Sequence, residues 1–284
     1  MAEEPPTRRI VPLKIVTDQA FRESTPLWRG FLRRALRQTQ EQFDPVALDF
    51  RIEEEAYWEP SDPSLPFSVL LSEVQASVPN EGRILVALVG ATDRPAEPDL
   101  LGYALLGRPY LIVETHSADL FAQTLTHELG HVFGLPHLPG RHVMANRAAD
   151  RTAEFDVLSL DVLLATRTMD FSHNTPFSEC DLHRLKDVYL AWAERGNGKA
   201  SLLSNLGVAF RREGDAVSAA ACLKAALAME DEFAEAWFHM ARVQEDLGDE
   251  MAATLAYERY LSLEEAGRFS DRARSSQQRL MGSP

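Results

Sequence analysis

The sequence predicts an α+β fold with a mostly parallel, twisted sheet and crossover helices, followed by an all-α helical-repeat region. Three observations predict it. Short β-branched runs alternate with helix-spaced segments up to about residue 116, which is the pattern of strands joined by crossover helices. A Gly-rich break falls at Arg195–Lys199. Beyond that break an apolar pattern recurs with a period of 34 residues. Residues 1–9 are polar and Pro-rich and read as a flexible tail. Ile10–Thr17 (IVPLKIVT) is apolar and β-branched, hence a strand bounded by Asp18. Phe21–Phe43 carries Leu27, Phe31, Leu32, Ala35 and Leu36 at helical spacing and reads as one helix. Ala47–Trp58 alternates as a second strand, and Ser68–Val78 is a short helix stopped by Pro79. Arg83–Ala91 (RILVALVGA) is continuously apolar, as a strand buried on both faces must be. Asp93–Asp99 is a loop, and Tyr103–Glu114 holds one or two strands broken at Gly107-Arg108-Pro109. Ser117 stands where a helix N-cap is expected, with Asp119 in the first turn and the helix running to about Gly134. A segment of uncertain structure follows from about Asn146 to Pro176, then a helix from Ser178 to about Glu194.

In the repeat region, Leu203, Leu206, Gly207, Phe210, Gly214, Ala219, Leu223 and Ala226 recur as Trp237, Met240, Ala241, Gln244, Gly248, Ala253, Tyr257 and Tyr260. Small residues at the two helix-crossing positions let the helices of a hairpin approach closely, and the large ones fill the groove between them. This pattern resembles the tetratricopeptide repeat, although Gln244 replaces an expected aromatic. Two repeats bury little surface alone, so they are expected to lean on the catalytic domain, with either a capping helix over Arg268–Leu280 or dimerisation of the chain adding to the buried surface.

Bulk properties narrow the partners. The chain has 284 residues, enough for one large or two modest domains, and a net charge of −14. Such a surface repels phosphate backbones and anionic headgroups, so neither nucleic acid nor membrane is an expected partner. No run of 18 apolar residues is present, and no apolar stretch with a cleavage site opens the chain; a cytoplasmic location is expected. The two cysteines, Cys180 and Cys222, read as buried apolar thiols rather than a bridge.

One string carries chemistry: His127-Glu128-Leu129-Gly130-His131-Val132-Phe133-Gly134-Leu135-Pro136-His137. On a helix, positions i and i+4 differ by about 40° in direction and roughly 6 Å in rise, so His127 and His131 can reach one ion. His137 lies ten residues on, roughly 15 Å along an unbroken helix, and could not join them unless the helix ended. Gly134 can take the left-handed conformation that ends helices, and Pro136 removes an N–H and pushes Leu135 out of the α region. Three neutral imidazoles leave a fourth zinc position open, as a catalytic site requires. Glu128 points about 100° away from His127, beside the metal rather than onto it. There it can take a proton from an activated water and pass it to a leaving amine.

The string resembles the extended zinc motif of the metzincins, especially the matrixin-like branch. Three further features carry the resemblance. Met144, in Arg141-His142-Val143-Met144, fits the methionine of the turn beneath the metal. The segment Phe177–Tyr189 is similar to the C-terminal helix of matrixin catalytic domains. The order of strands and helices before Ser117 also suits the family. The resemblance implies that Asp181 braces the Met turn and that Tyr189 packs under the site. It also implies that Gly102–Val113 supplies the edge strand that pairs with extended substrate, although an internal strand fits that stretch equally well. The match is loose outside residues 127–144. Loops for structural calcium and a second zinc are absent, and Ala145-Asn146-Arg147 departs from the usual specificity wall. Archaemetzincins share the motif but add four cysteines for another zinc, against which only Cys180 could be matched, with His142 and His183 as conceivable substitutes. One catalytic zinc is therefore expected. His116, His173 and His239 have no sequence partners and read as structural or solvated. The 146–176 segment looks like an insertion, made acidic by Asp150, Glu154, Asp156 and Asp161.

The expected organisation is a tail (1–9), a zinc metallopeptidase domain (10–194), a linker (195–199) and two repeats with a capping helix (200–284). The expected function is a zinc endopeptidase acting on protein or peptide, with catalytic Glu128, zinc ligands His127, His131 and His137, and support from Gly134, Met144 and Asp181. The repeats are expected to recruit a protein partner or substrate. Two alternatives are a zinc aminopeptidase, with the acidic insertion holding the free amine, and a repeat scaffold with a structural or vestigial zinc site.

Overall fold

The computed structural model describes residues 7–92, 100–114, 117–137, 141–145, 152, 154–172, 177–195, 199–267 and 269–281. The chain divides into two compact units, Met1–Ser178 and Glu179–Pro284.

The first unit is built on a five-stranded sheet: β1 (Arg9–Thr17), β2 (Leu48–Tyr57), β3 (Ile84–Val89), β4 (Gly102–Ala104) and β5 (Tyr110–Glu114), in the order β2-β1-β3-β5-β4. All neighbours are parallel except β4, which runs antiparallel to β5 at one edge. The break at Gly107-Arg108-Pro109 thus separates two strands, and the reversal between them produces the antiparallel edge. Leu85, Ala87, Val89, Tyr110 and Ile112 pack with Phe67, Leu70, Leu71 and Val74 of helix α3 (Phe67–Ser77). The strand residues of the other parity, Val86, Leu88, Leu111 and Val113, are also buried, so the central sheet is covered on both faces.

The stretch expected as one helix over 21–43 is two, α1 (Gln19–Ser24) and α2 (Trp28–Phe43). Pro26 explains the break: it lacks a backbone donor and drives Thr25 out of the helical region, where Thr25 has φ −130° and ψ 69°. Asp18 caps α1 through a 2.6 Å bond from the Phe21 amide. Trp28, Leu32, Ala35, Leu36, Thr39 and Phe43 form the buried stripe of α2. That stripe meets helix α4 (Ala118–Val132), with the Phe31 and Phe121 rings 4.9 Å apart and the Thr126 hydroxyl 3.0 Å from that of Thr39. Ser117 occupies the N-cap position of α4 but makes no side-chain capping bond. Within the segment of uncertain structure, Val157–Thr166 forms helix α5, capped by Asp156, which accepts from the Ser159 amide at 3.0 Å. The Thr166 hydroxyl donates to the Phe133 carbonyl at 2.7 Å and ties α5 to the end of α4. Asp150, His116, His173 and the tail residues 1–6 lie outside the described residues.

The second unit is helical throughout its described residues: α6 (Glu179–Glu194), α7 (Ala200–Arg212), α8 (Ala216–Met229), α9 (Ala234–Leu247), α10 (Glu250–Leu263) and α11 (Ser270–Met281). Residues 196–198 of the expected linker are not among those described. The period of 34 is visible in the hairpin turns. Gly214 and Gly248 take φ of 86° and 77°, and Asp215 and Asp249 each cap the following helix through 2.9 Å bonds, from the Ser218 and Ala252 amides. A Cβ on Gly207 would lie 2.7 Å from Leu223 Cγ, so glycine is what lets α7 and α8 cross closely. A helix, α11, forms in the segment where a capping helix was expected. Both cysteines are free, but only Cys222 is buried, and burial pushes its thiol up to about 12. Cys180 is exposed, contrary to the expectation of two buried thiols, because it falls on the outer side of the first turn of α6.

Among the described residues no helix is long and apolar enough to cross a membrane.

Candidate metal centre

The centre forms where α4 ends. Gly134 has φ 92°. Its amide donates to the His131 carbonyl at 2.9 Å, and the Leu135 amide donates to the Gly130 carbonyl at 2.9 Å. These two bonds make a Schellman motif with glycine in the left-handed position. The chain therefore reverses one residue after the C-cap Phe133, and His137 returns to the two helix imidazoles. His127 Nε2 lies 3.0 Å from His131 Nε2 and 3.2 Å from His137 Nε2. Among the described residues, these three are the group of His, Cys, Asp and Glu side chains gathered closely enough to hold a metal ion.

The outer ring nitrogens fix the tautomers. His127 Nδ1 is 2.8 Å from the Val143 carbonyl and His131 Nδ1 is 2.6 Å from the Leu135 carbonyl. A carbonyl only accepts, so each Nδ1 carries the hydrogen and each Nε2 presents a lone pair to the centre. Lone pairs about 3 Å apart repel unless a cation lies among them. Tetrahedral zinc with Zn–N near 2.1 Å separates its ligand nitrogens by ~3.4 Å, so the donor set fits that ion. The C-terminal end of α4 adds negative potential that favours a cation.

Glu128 is buried. A Cβ on Gly102 of β4 would come within 3.0 Å of Glu128 Cγ and 2.9 Å of Thr124 Cγ2. Glu128 thus lies against the edge strand. Met144 is fully buried, and a Cβ on Gly130 would stand 2.6 Å from its Sδ, so Met144 packs directly on α4 between the two helix histidines. Sequence reasoning named Gly134 and Met144 but missed Gly102 and Gly130, and it missed the carbonyls of Leu135 and Val143. Gly130 was legible as the residue between the ligands; the carbonyl partners depend on tertiary placement alone. Asp181 is buried in the first turn of α6, in the second unit, with Arg184 3.7 Å away. Tyr189 is buried further along α6, and burial raises its phenol. His142 is buried in the first unit, and His183 and exposed Cys180 lie on α6. His239 stands against Phe238 and Phe269 at ring distances of 5.5 and 5.7 Å.

Two grooves lie near these elements. One, of about 480 Å³, runs between α2 and β2 and includes none of the histidines. The other, about 430 Å³, lies between α2 and α4 and includes Thr126 and Val143, the residues that flank and hold His127.

No protein-family model matches the chain, and no curated protein matches it. Among solved structures, it is similar to archaemetzincin from Methanopyrus kandleri, at 17% identity over 55% of this chain and 95% of that one, with a TM-score of 0.46. It is also similar to the TPR domain of Arabidopsis OM64, at 17% identity over 35% and 79% of the two chains, TM-score 0.30. The second TPR domain of human RPAP3, in complex with an HSP70 peptide, gives 17% identity over 37% and 85%, TM-score 0.32. All three scores fall below 0.5.

Proposed function

We propose that the chain is a zinc-dependent endopeptidase, with His127, His131 and His137 holding the ion and Glu128 acting as the general base. The observation that carries this reading is the convergence of three Nε2 lone pairs, two of them fixed by carbonyls behind the rings. When bound there, a zinc ion polarises the substrate carbonyl and acidifies the attacking water. Glu128 takes one proton from that water as oxygen bonds to the carbonyl carbon. It returns the proton to the leaving nitrogen as the C–N bond breaks. β4 is the outer strand in the sheet order, and an edge strand offers backbone groups to which an extended peptide can add as a further strand. Because Gly102 of β4 touches Glu128, a peptide paired there lies beside the base. The same glycine leaves room for both the glutamate and the substrate backbone. The α7–α11 repeats recruit the protein partner or substrate, and Met144 supports the site.

Glu128→Gln keeps the size of the side chain but removes its basicity. Cleavage of end-blocked, internally quenched peptides by this variant is expected to fall by about 10²–10⁴-fold, while zinc content stays at the wild-type level. Unchanged cleavage would sink the assignment of the base. Wild-type cleavage confined to peptides with free amino termini would replace the endopeptidase with an aminopeptidase.

A further inference from the structure

The groove of about 480 Å³ between α2 and β2 includes none of the histidines, and the proposed hydrolysis does not use it. One wall is a strand. β2 is the outer strand at the sheet edge opposite β4, and among the described residues it pairs with β1 alone. The other wall is helical and carries Arg29 and Arg33, one turn apart on α2. The floor is apolar: Trp28, Leu32, Leu36 and Phe50 are buried, and Ile52 is half-buried. The register between β1 and β2 shifts within the groove, where Leu13 pairs with Ile52 but Lys14 pairs with Glu54, leaving Glu53 over as a bulge. The three glutamates around this shift all have cationic partners. Glu53 meets Arg51 at 3.2 Å, Glu54 meets Lys14 at 2.8 Å, and Glu55 accepts from Arg29 Nε at 2.9 Å. Arg29 also lies over the Trp28 ring, 4.4 Å from its centroid. Arg33 is exposed and forms no ion pair among the described residues. Glu41, the one acid of α2, lines the other groove. The acids of this groove are therefore engaged, and one of its guanidiniums is not.

We infer that this groove takes an extended segment of a partner protein, which adds to the outer side of β2 as a further strand and sets a carboxylate against Arg33, with apolar side chains on the floor. An edge strand beside a helix supplies main-chain groups for affinity and a side-chain groove for specificity. In an added strand every second side chain faces α2, at a spacing of roughly 6.6 Å. A carboxylate at one such position and aliphatic groups at its neighbours therefore reach Arg33 and the apolar floor together. The bond to Arg33 is charge-assisted, and no acid of the groove competes for it. The bulge and the charged side chains of β2 work against indiscriminate pairing at this edge. A second copy of β2 would bring Asp49, Glu53, Glu54 and Glu55 against the same four acids, and like charges across a strand pair repel. Charge complementarity thus favours a different chain, one with an acid set between apolar residues.

The test uses the full chain carrying Glu128→Gln, so that the probe is not cut, and fluorescence anisotropy of a short, labelled, end-blocked peptide that alternates valine and threonine around one central glutamate. We expect saturable binding, weakened about tenfold when that glutamate is replaced by glutamine or when Arg33→Gln is introduced, and unchanged by Lys224→Gln in the second unit. Of two peptides N-methylated on alternate amides, one along each edge, one should lose binding, because one edge of the peptide pairs with β2. Arg33 is exposed and its variant is expected to fold, which circular dichroism checks; the glutamine peptide tests the same contact without altering the protein. Binding that Arg33→Gln leaves unchanged, as pairing on β4 would give, would overturn the inference. So would no binding, equal binding of the glutamine peptide, retained binding of both N-methylated peptides, or equal weakening by Lys224→Gln. A chain that dimerises until Arg33→Gln disperses it, and that leaves the peptide unbound, would give the groove to a second copy instead. None of these touches the hydrolysis result, because binding is read in a variant without the base.

Discussion

At the level of single residues, two glycines and a methionine decide whether the imidazoles converge. Gly134 sits at φ 92°, where a side chain strains the backbone. Gly134→Ala is expected to cost about 1–2 kcal/mol and to lower zinc affinity, because the Schellman turn that returns His137 loosens. Paired thermal melts and zinc titrations check this; an alanine variant with wild-type stability and affinity would contradict it. Gly130→Ala places a methyl 2.6 Å from Met144 Sδ, so one of them must shift. Its melting temperature is expected to fall, and Met144→Ala in the same chain should restore part of the loss. No recovery in the double variant would show that the two do not share that space. The histidines, Glu128 and the reversal at Gly134 could be read from the string itself, since the helix period and the conformational limits of glycine and proline determine which directions the rings can take. The supporting carbonyls of Leu135 and Val143, and the contact of Glu128 with Gly102, could not be read, because they join segments whose separation in the chain says nothing about their distance in space.

At the level of elements, capping explains where the sequence was readable and where it was not. The 34-residue period was visible because apolar and small residues recur at fixed positions, Gly214 and Gly248 among them; the aspartate after each of these glycines, Asp215 and Asp249, closes the next helix. Helix α5 was not read because the hydrophobic spacing of Val157–Thr166 has no pronounced polar face, and its Asp156 cap looked like part of an acidic run. The split of α1 from α2 was readable in Pro26, but the apolar spacing on either side outweighed it. Asp215 offers a pH test of a cap. The Ser218 hydroxyl and amide hold its carboxyl below the usual carboxylate value. A carboxyl lowered on folding adds stability that is complete above the unfolded value, about 3.9, and is lost as pH falls through the folded value. Asp215→Asn should therefore be less stable than wild type at pH 6, with the gap closing as pH drops below ~4. A gap that stays constant across melts at decreasing pH would contradict this account of the cap.

For the whole molecule, the mixed sheet positions the candidate centre. The β3 and β5 strands are buried on both faces, and β4 lies antiparallel at the edge beside Glu128. Reversal of β4 was only half legible: the break at Gly107-Arg108-Pro109 marked a turn, but strand direction is set by where the chain enters the sheet. The account rests on the three histidines forming one zinc site, and the most direct measurement is zinc stoichiometry by elemental analysis after exhaustive dialysis. It should be made on the full wild-type chain and on His131→Ala, with circular dichroism confirming that both are folded. One zinc per wild-type chain, and none in the folded variant, is the predicted result. Wild-type protein that holds no zinc, or a folded His131→Ala chain that holds as much as wild type, would contradict it.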